Sequence, residues 1–229
     1  MNKENSVQLL GWYGGDTINA CSAWTSTSRD LTEEKINRIP KLLKMLADNG
    51  HETPFEKSIV HFLVDTEICL HIHLLKHRIS SLNAESARYK ELNEDKYYIP
   101  DDWSGIKCSI SNAPVALGES FDRLQGEDWN TILADYTELG NTLYHQCLKD
   151  LEPVLGRKRA KESARLFKAY NSQIQSDVMF NWRSFVNFQK LRNSEHAQKE
   201  IREIAQMMLD SVKMIPGNPF EHTIEAFGL

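Results

Sequence analysis

The sequence lacks several features that would assign it to a common functional class. Its 229 residues carry a net charge of −5 and no long lysine and arginine stripe, which argues against non-specific binding of nucleic acid. No segment approaches the ~20 consecutive apolar residues that span a bilayer, and residues 1–5 lack the apolar centre of a signal peptide. We therefore expect a soluble, cytoplasmic protein that acts on neither nucleic acid nor a membrane.

The patterns of cysteine and glycine exclude further classes. Cys21, Cys69, Cys108 and Cys147 lie far apart and none belongs to a C-x-x-C pair, so we expect no structural zinc site. The glycine-rich phosphate loops of P-loop and Rossmann proteins are absent, as is the G-x-S-x-G motif of hydrolases. Any nucleotide must therefore be bound by other groups.

The periodicity of apolar residues predicts a helix-rich α+β chain. There is no repeat, low-complexity run or Pro/Gly/Ser-rich linker, so we expect a single domain over residues 1–229. Predicted strands cover residues 7–13 and 59–65, with a short strand ending at 97–102, and predicted helices cover 31–48, 67–78, 118–150, 157–170 and most of 178–191, with a last helix after a cap at Ser194.

Two local signals refine the helix predicted over residues 31–48. Asp30 followed by Glu33 is typical of a capping box at a helix start. Pro40 lies inside the span, which predicts a kink or a break into two short helices. We expect Ile36 and Ile39 to face the core, together with Leu43 and Leu46.

Residues 76–88 contain the densest set of groups that can bind phosphate. Lys76, His77 and Arg78 end an apolar segment, and short polar side chains lead from there to Arg88. The triplet alone could simply complement the negative C-terminal end of a helix. With Arg88 and the intervening hydroxyl and amide groups, the segment favours a small phosphorylated ligand.

A second polar cluster lies in residues 181–192. On a helix, Arg183 and Asn187 share one face, beside an apolar stripe that includes Phe185 and Phe188. Amides and guanidinium groups beside aromatic rings suit a flat polar heterocycle, although a solvated helix face over ordinary core aromatics would have the same pattern.

His73 and His77 are spaced i, i+4, so a helix would place them on one face where they could bind a metal. The residues between them, Leu74, Leu75 and Lys76, do not form an H-E-x-x-H motif, and a lysine beside a dication is unfavourable. We therefore expect no metal site, and a helical metallohydrolase is kept as an alternative class.

Together these segments resemble the flavin-dependent thymidylate synthase family. Lys76-His77-Arg78, the residues 79–85, Ser86 and Arg88 are similar to the family signature of Arg-His-Arg followed by a gap, a serine and an arginine. Residues 51–56, 181–192 and 196–201 are similar to three further family segments. The resemblance covers roughly residues 20–215 and implies a central, mostly antiparallel sheet flanked by helices.

The resemblance implies a specific reaction. Such enzymes are FAD-dependent methyltransferases that convert dUMP to dTMP, with methylenetetrahydrofolate as the carbon donor and NADPH as the reductant. They are homotetramers whose sites draw residues from several subunits. The partners expected here are therefore a pyrimidine deoxynucleotide monophosphate, a folate and three further copies of the chain.

The resemblance also implies roles for individual residues. Arg192 would be catalytic, stabilising negative charge on the N3/O2 edge of uracil, and Arg88 and Arg165 would hold the 5′-phosphate. The implied FAD-binding residues are Ser26, Thr53, Lys76, His77, Arg78, Asn83, Asn181, Arg183, Asn187 and His196. The implied dUMP-binding residues are His73, Lys76, Glu85, Ser86, Arg88, Arg165 and Arg192.

The sequence departs from the family pattern in the nucleotide-facing region. Lys76 stands where the family has arginine, His73 where glutamine is common, and Ala84 where glutamate is usual, with Glu85 one place later. Two alternatives therefore remain beside thymidylate synthesis. One is a flavin- and folate-dependent pyrimidine nucleotide hydroxymethylase, and the other is a non-catalytic nucleotide-binding protein on the same scaffold.

Overall fold

The computed structural model describes residues 1–110 and 124–229. Its strands are β1 (Ser6–Tyr13), β2 (Ile59–Glu67), β3 (Ser81–Ala84) and β4 (Gln173–Asn181). Its helices are α1 (Asp16–Trp24), α2 (Glu33–Asp48), α3 (Ile68–Leu75), α4 (Trp129–Leu155), α5 (Arg157–Ala164), α6 (Trp182–Arg192), α7 (Lys199–Lys213) and α8 (Glu221–Phe227). Short 3₁₀ helices cover Thr53–Lys57, Asp101–Trp103 and Arg165–Phe167. The predicted helix-rich α+β class is confirmed.

The four strands form one sheet in the order β1-β2-β4-β3. β1 pairs antiparallel with β2, and β3 pairs antiparallel with β4. Val60, Phe62 and Val64 of β2 are fully buried, which agrees with the prediction that this strand is internal to the sheet. The edges of the sheet are therefore β1 and β3.

The chain divides into two compact units, each built from several segments. The first unit comprises Met1–Glu4, Glu67–Cys69 and Glu85–Ile174, and it contains α4 and α5. The second unit comprises Asn5–Thr66, Leu70–Ala84 and Gln175–Leu229, and it contains most of the sheet, most of α3, and α1, α2, α6, α7 and α8. The expectation of a single domain stays a prediction.

The core of the second unit is rich in aromatic side chains. Trp182 stacks on Phe220 with ring centroids 4.5 Å apart, and Phe185 packs between Phe62 and Phe180 at 5.7 Å and 6.1 Å. All five side chains are essentially inaccessible to solvent. Burial of such a side chain contributes about 1.5–3 kcal/mol, so this cluster fixes the start of α6 against the sheet.

Helix α2 differs from its sequence prediction at its N-terminus. The N-cap is Thr32, whose hydroxyl accepts a hydrogen bond from the Lys35 amide, so the predicted capping box of Asp30 and Glu33 is wrong. The helix continues through Pro40 without a break. Ile39, Leu43 and Leu46 are buried as predicted, whereas Ile36 is 51% exposed because it lies on the outer face.

Two other helices were placed wrongly. Helix α3 ends at Leu75, so Lys76, His77 and Arg78 follow the helix instead of forming its last turn. The predicted helix over 178–191 combines the end of β4 with α6, and the N-cap of α6 is Asn181, whose side chain accepts from the Ser184 amide. Lys76, His77 and Arg78 therefore lie in the turn after α3, and the polar residues from Asn181 to Arg192 belong to a separate element, α6 and its N-cap.

The remaining differences concern helix ends and a short strand. Residues 118–123 of the helix predicted over 118–150 lie outside the described residues, and α4 begins only at Trp129 and runs through Pro153. Tyr97 makes isolated bridges and residues 101–103 form a 3₁₀ turn, so the strand predicted there is wrong. The helix predicted over 157–170 ends at Ala164, and the N-cap predicted at Ser194 is instead Gln198.

All four cysteines are free of disulfide bonds. None of the helices in the described part of the chain combines the length and apolarity needed to cross a bilayer.

Candidate functional site

The second unit contains an open cavity of about 550 Å³ beside α6 and the turn after α3. Seven of the residues predicted for the flavin and nucleotide sites line it: Lys76, His77, Arg78, Asn181, Arg183, Asn187 and Arg192. Apolar side chains of Ile79, Val186 and Leu191 complete part of the wall. Two segments that are far apart in the sequence thus bring cations and amides to one surface.

Arg192 and His77 form the central contact of this cavity. Arg192 Nε donates a hydrogen bond to His77 Nε2 over 3.0 Å, and the His77 ring meets the edge of Phe188 at a centroid distance of 4.9 Å. Burial, together with the positive charge of Arg192 and the neighbouring His73, lowers the pKa of His77 to about 4. His77 is therefore a neutral acceptor near pH 7 and orients the guanidinium.

His73 lies on α3 next to this pair. Burial and the charge of Arg192 lower the pKa of His73, and its Nδ1 atom is buried with no hydrogen-bond partner among the described residues. His77, the second histidine of the possible metal-binding pair, already accepts a hydrogen bond on Nε2 from the Arg192 guanidinium. A ring nitrogen that is engaged with a cation in this way is poorly suited to bind a metal ion. Within residues 1–110 and 124–229, no group of three or more His, Cys, Asp or Glu residues is arranged to hold a metal.

Arg183 is held by two carboxylates that the sequence analysis did not identify. Its Nε donates to Glu52 over 2.9 Å and its Nη1 donates to Glu56 over 2.7 Å. Hydrogen bonds to Glu56 and then Glu52 raise the pKa of Arg183. Both glutamates line the cavity. The sequence feature that could have identified them is their i, i+4 spacing in the segment 51–56.

The phosphate-directed residues of the first unit form a second cluster. Arg88 donates from Nε and Nη2 to one oxygen of Glu162, over 3.2 Å and 3.1 Å. Arg165 donates from Nε to the backbone carbonyl of Glu162 over 3.2 Å. The two arginines predicted to hold a phosphate therefore meet at one residue, which the sequence analysis did not identify.

The segment that carries Arg88 is a compact turn attached to α5. The Ser86 carbonyl accepts from the amides of Tyr89 and Lys90, and Lys90 forms an ion pair with Glu85. Lys161 of α5 donates to the Tyr89 carbonyl over 2.9 Å. Helix α5 thus carries Glu162 and, through Lys161, also holds the turn that carries Arg88.

Four predicted FAD-binding residues do not line the cavity, although the structure describes all of them. Ser26 follows α1 and its hydroxyl donates to the Ala23 carbonyl, and Thr53 begins a 3₁₀ helix next to Glu52. The Asn83 side chain accepts from the Ala84 amide, and His196 is exposed between α6 and α7. Their assignment stays a prediction.

Comparison with known proteins identifies the family. Residues 9–216 match the family described as thymidylate synthase complementing protein. A flavin-dependent thymidylate synthase of Pseudothermotoga lettingae is 30% identical over 91% of this chain and 85% of its own length. This chain belongs to the flavin-dependent thymidylate synthase family. The prediction that it is an enzyme of this methyltransferase class is confirmed.

One further relative and one solved structure are also similar to this chain. The enzyme of Thermosipho africanus is 32% identical over 87% of this chain and 82% of its own length. A UMP/dUMP methylase from Streptomyces cacaoi, solved bound with 5-Br dUMP, superposes with a TM-score of 0.75 at 24% identity and covers 99% of this chain and 96% of its own. The similarity to this solved structure confirms the fold.

Proposed function

We propose that this protein catalyses the FAD-dependent reductive methylation of dUMP to dTMP, with methylenetetrahydrofolate as carbon donor and NADPH as reductant. The observation that carries the proposal is that seven residues of the family motifs, Arg192 among them, line one cavity. Family membership supports the same reaction.

The donors around the cavity fit a flavin dinucleotide. Arg78 and Lys190 supply positive charge for a pyrophosphate, whereas the charge of Arg183 is offset by Glu52 and Glu56. Asn181 and Asn187 supply amides for ring edges. Apolar groups such as Val186 and Leu191 suit the face of an aromatic ring. When bound, FAD would supply the redox chemistry by which a methylene group becomes a methyl group.

Arg192 is the group best placed to act on the pyrimidine. His77 occupies its Nε–H, which leaves the Nη groups to meet a carbonyl or ring nitrogen. A fixed guanidinium stabilises the negative charge that develops on the N3/O2 edge when C5 becomes nucleophilic. Because the pKa of His77 is about 4, this acceptor is neutral at pH 7 and does not repel the guanidinium that it orients.

The first experiment tests the cofactor and the product separately. We expect purified protein to show flavin absorbance, and to form dTMP from dUMP when methylenetetrahydrofolate and NADPH are added. Mass spectrometry of the product distinguishes a methyl from a hydroxymethyl group, with dUMP and dCMP tested in parallel. A hydroxymethylated product, or a colourless protein that does not bind FAD, would contradict the proposal.

The second experiment tests Arg192. We expect Arg192→Ala to lower kcat about 100- to 1000-fold, as loss of a donor to a developing oxyanion does, while the FAD content stays unchanged. Arg38→Ala is the matched control, because Arg38 is an exposed arginine of α2 that pairs only loosely with Glu34 at 3.7 Å. Turnover of Arg192→Ala equal to that of the control would refute this role.

A further inference from the structure

Glu162 is a carboxylate at the centre of a group that the proposed function assigns to phosphate. Its Oε1 accepts two hydrogen bonds from Arg88, and its Oε2 lies 3.6 Å from Arg159 Nη1. Its backbone carbonyl accepts from Arg165. The Glu162 side chain is only 20% exposed, whereas that of Arg88 is 44% exposed. Arg88 is therefore more accessible to a ligand than the carboxylate with which it pairs.

The hydrogen bonds leave a defined part of each guanidinium free for a ligand. Glu162 takes the Nε and one Nη2 hydrogen of Arg88, so the Nη1 end of the group remains available. Arg165 is likewise bound through Nε only, which leaves its two Nη groups available. Orienting an arginine in advance lowers the entropy cost of a bidentate phosphate contact.

The charge of Glu162 limits how much anion this group can accept. Hydrogen bonding to Arg88 holds the pKa of Glu162 below its usual range, so it is ionised at neutral pH. Arg159 and Lys158 also act on this carboxylate, so its negative charge offsets part of the positive charge around the group. One phosphate group then meets adequate positive charge, whereas a second phosphate would bring added negative charge near an ionised carboxylate.

We infer that Glu162 is a positioning residue that orients Arg88 and selects a nucleoside monophosphate over the corresponding diphosphate. This inference rests on the proposed function, because it takes the phosphate of a pyrimidine nucleotide as the ligand of Arg88 and Arg165. No ligand contact is required of Glu162 itself, since it acts through Arg88.

The test compares the affinities of the FAD-loaded protein for dUMP and dUDP, measured by calorimetry. Glu162→Gln keeps an oxygen that can accept from Arg88 but removes the charge, and we expect the preference for dUMP over dUDP to fall about tenfold. The FAD content should stay unchanged, which a general loss of structure would not allow. Glu162→Asp keeps the charge and should keep most of the preference.

Glu34→Gln is the matched control, because Glu34 also pairs with an arginine on an exposed helix face. A preference for dUMP that is the same in Glu162→Gln and Glu34→Gln would overturn the inference, as would equal binding of dUMP and dUDP by the unchanged protein. Unchanged protein that binds dUMP selectively without methylating it would refute the proposed function and leave the inference standing. Protein that binds neither nucleotide would overturn both.

Discussion

At the scale of single residues, the contact between Arg192 and His77 couples the protonation of a histidine to the position of a guanidinium. An imidazolium has no lone pair for the Arg192 Nε–H, so protonation would replace a hydrogen bond with a repulsion between two cations. The groups facing His77 are Arg192, His73 and the Phe188 ring, and none of them is an acid. Burial of His77, followed by the electrostatic effects of Arg192 and His73, explains why its pKa falls to about 4.

The depressed pKa of His77 predicts how stability depends on pH. The pKa of His77 is about 6.5 in the unfolded chain and about 4 in the folded chain. The contribution of neutral His77 to the free energy of unfolding is therefore fully present above pH 6.5 and is lost as the pH falls towards 4. Urea titrations at pH 7 and pH 5 measure how much the free energy of unfolding falls between these pH values. We expect this fall to be about 1 kcal/mol larger in the unchanged protein than in His77→Gln, a figure that includes a discount for solvent screening.

The comparison with His77→Gln isolates one group. His71 and His73 also have lowered pKa values because they are partly buried, but both are present in the two proteins and their contributions cancel. Glutamine can still accept from Arg192 without titrating. An equal loss of stability between pH 7 and pH 5 in both proteins would show that His77 titrates normally in the folded state.

The sequence predicted the charged and amide residues of the cavity but not their partners. Arg183 and Asn187 were identifiable because guanidinium and amide groups beside aromatic residues are chemically unusual in a helix, and Arg192 was identified through the resemblance to the family. Glu52, Glu56 and Glu162 were not, because an acidic residue in a polar segment is ordinary and its partner lies 74 to 131 positions away in the chain. Such pairs depend on tertiary structure.

At the scale of elements, strand β4 shows where periodicity was misread. Ile174, Val178 and Phe180 are buried while Asp177 is exposed, which is the alternation of a strand. The change to helical spacing occurs at Asn181, and a short buried strand running directly into a helix was read as one helix. The side-chain cap at Asn181 was the signal that separates the two elements.

The turn between β1 and α1 depends on glycine for a steric reason. Gly15 has a φ of +123°, and a Cβ atom there would lie 2.4 Å from the Pro219 carbonyl oxygen. The Gly15 amide also donates to the Ser58 hydroxyl over 3.0 Å, so the backbone cannot easily move away. The approach of this turn to the segment before α8 therefore requires the absence of a side chain.

We accordingly expect Gly15→Ala to lower the free energy of unfolding by about 3 kcal/mol, through backbone strain and the contact with Pro219. Gly50→Ala is the matched control: its φ is +67°, but a Cβ atom would meet nothing within 4 Å. We expect the control to lose only about 1 kcal/mol. Equal losses in urea titrations of the two variants would show that the Pro219 contact carries no cost.

At the scale of the whole molecule, the two compact units interleave along the sequence. The first unit takes residues from three separate segments, including a short stretch at Glu67–Cys69, where β2 runs directly into α3. A boundary of this kind leaves no linker rich in proline, glycine or serine, so composition could not reveal it. The fold class was predictable because the family motifs span most of the chain, whereas the division into units is set by contacts between distant segments.

The outer strand of the sheet bears on the predicted homotetramer. β1 is an edge strand, and its Leu10, Trp12 and Tyr13 side chains are 43%, 47% and 60% exposed. An unpaired edge with apolar side chains is a surface that proteins usually cover.

We expect light scattering to give four times the chain mass of 26.4 kDa. Trp12→Glu should give a smaller assembly with unchanged circular dichroism, because a charge would be buried. Val154→Glu, at a site 79% exposed on α4, should remain tetrameric; dissociation of that variant alone would place the interface away from β1.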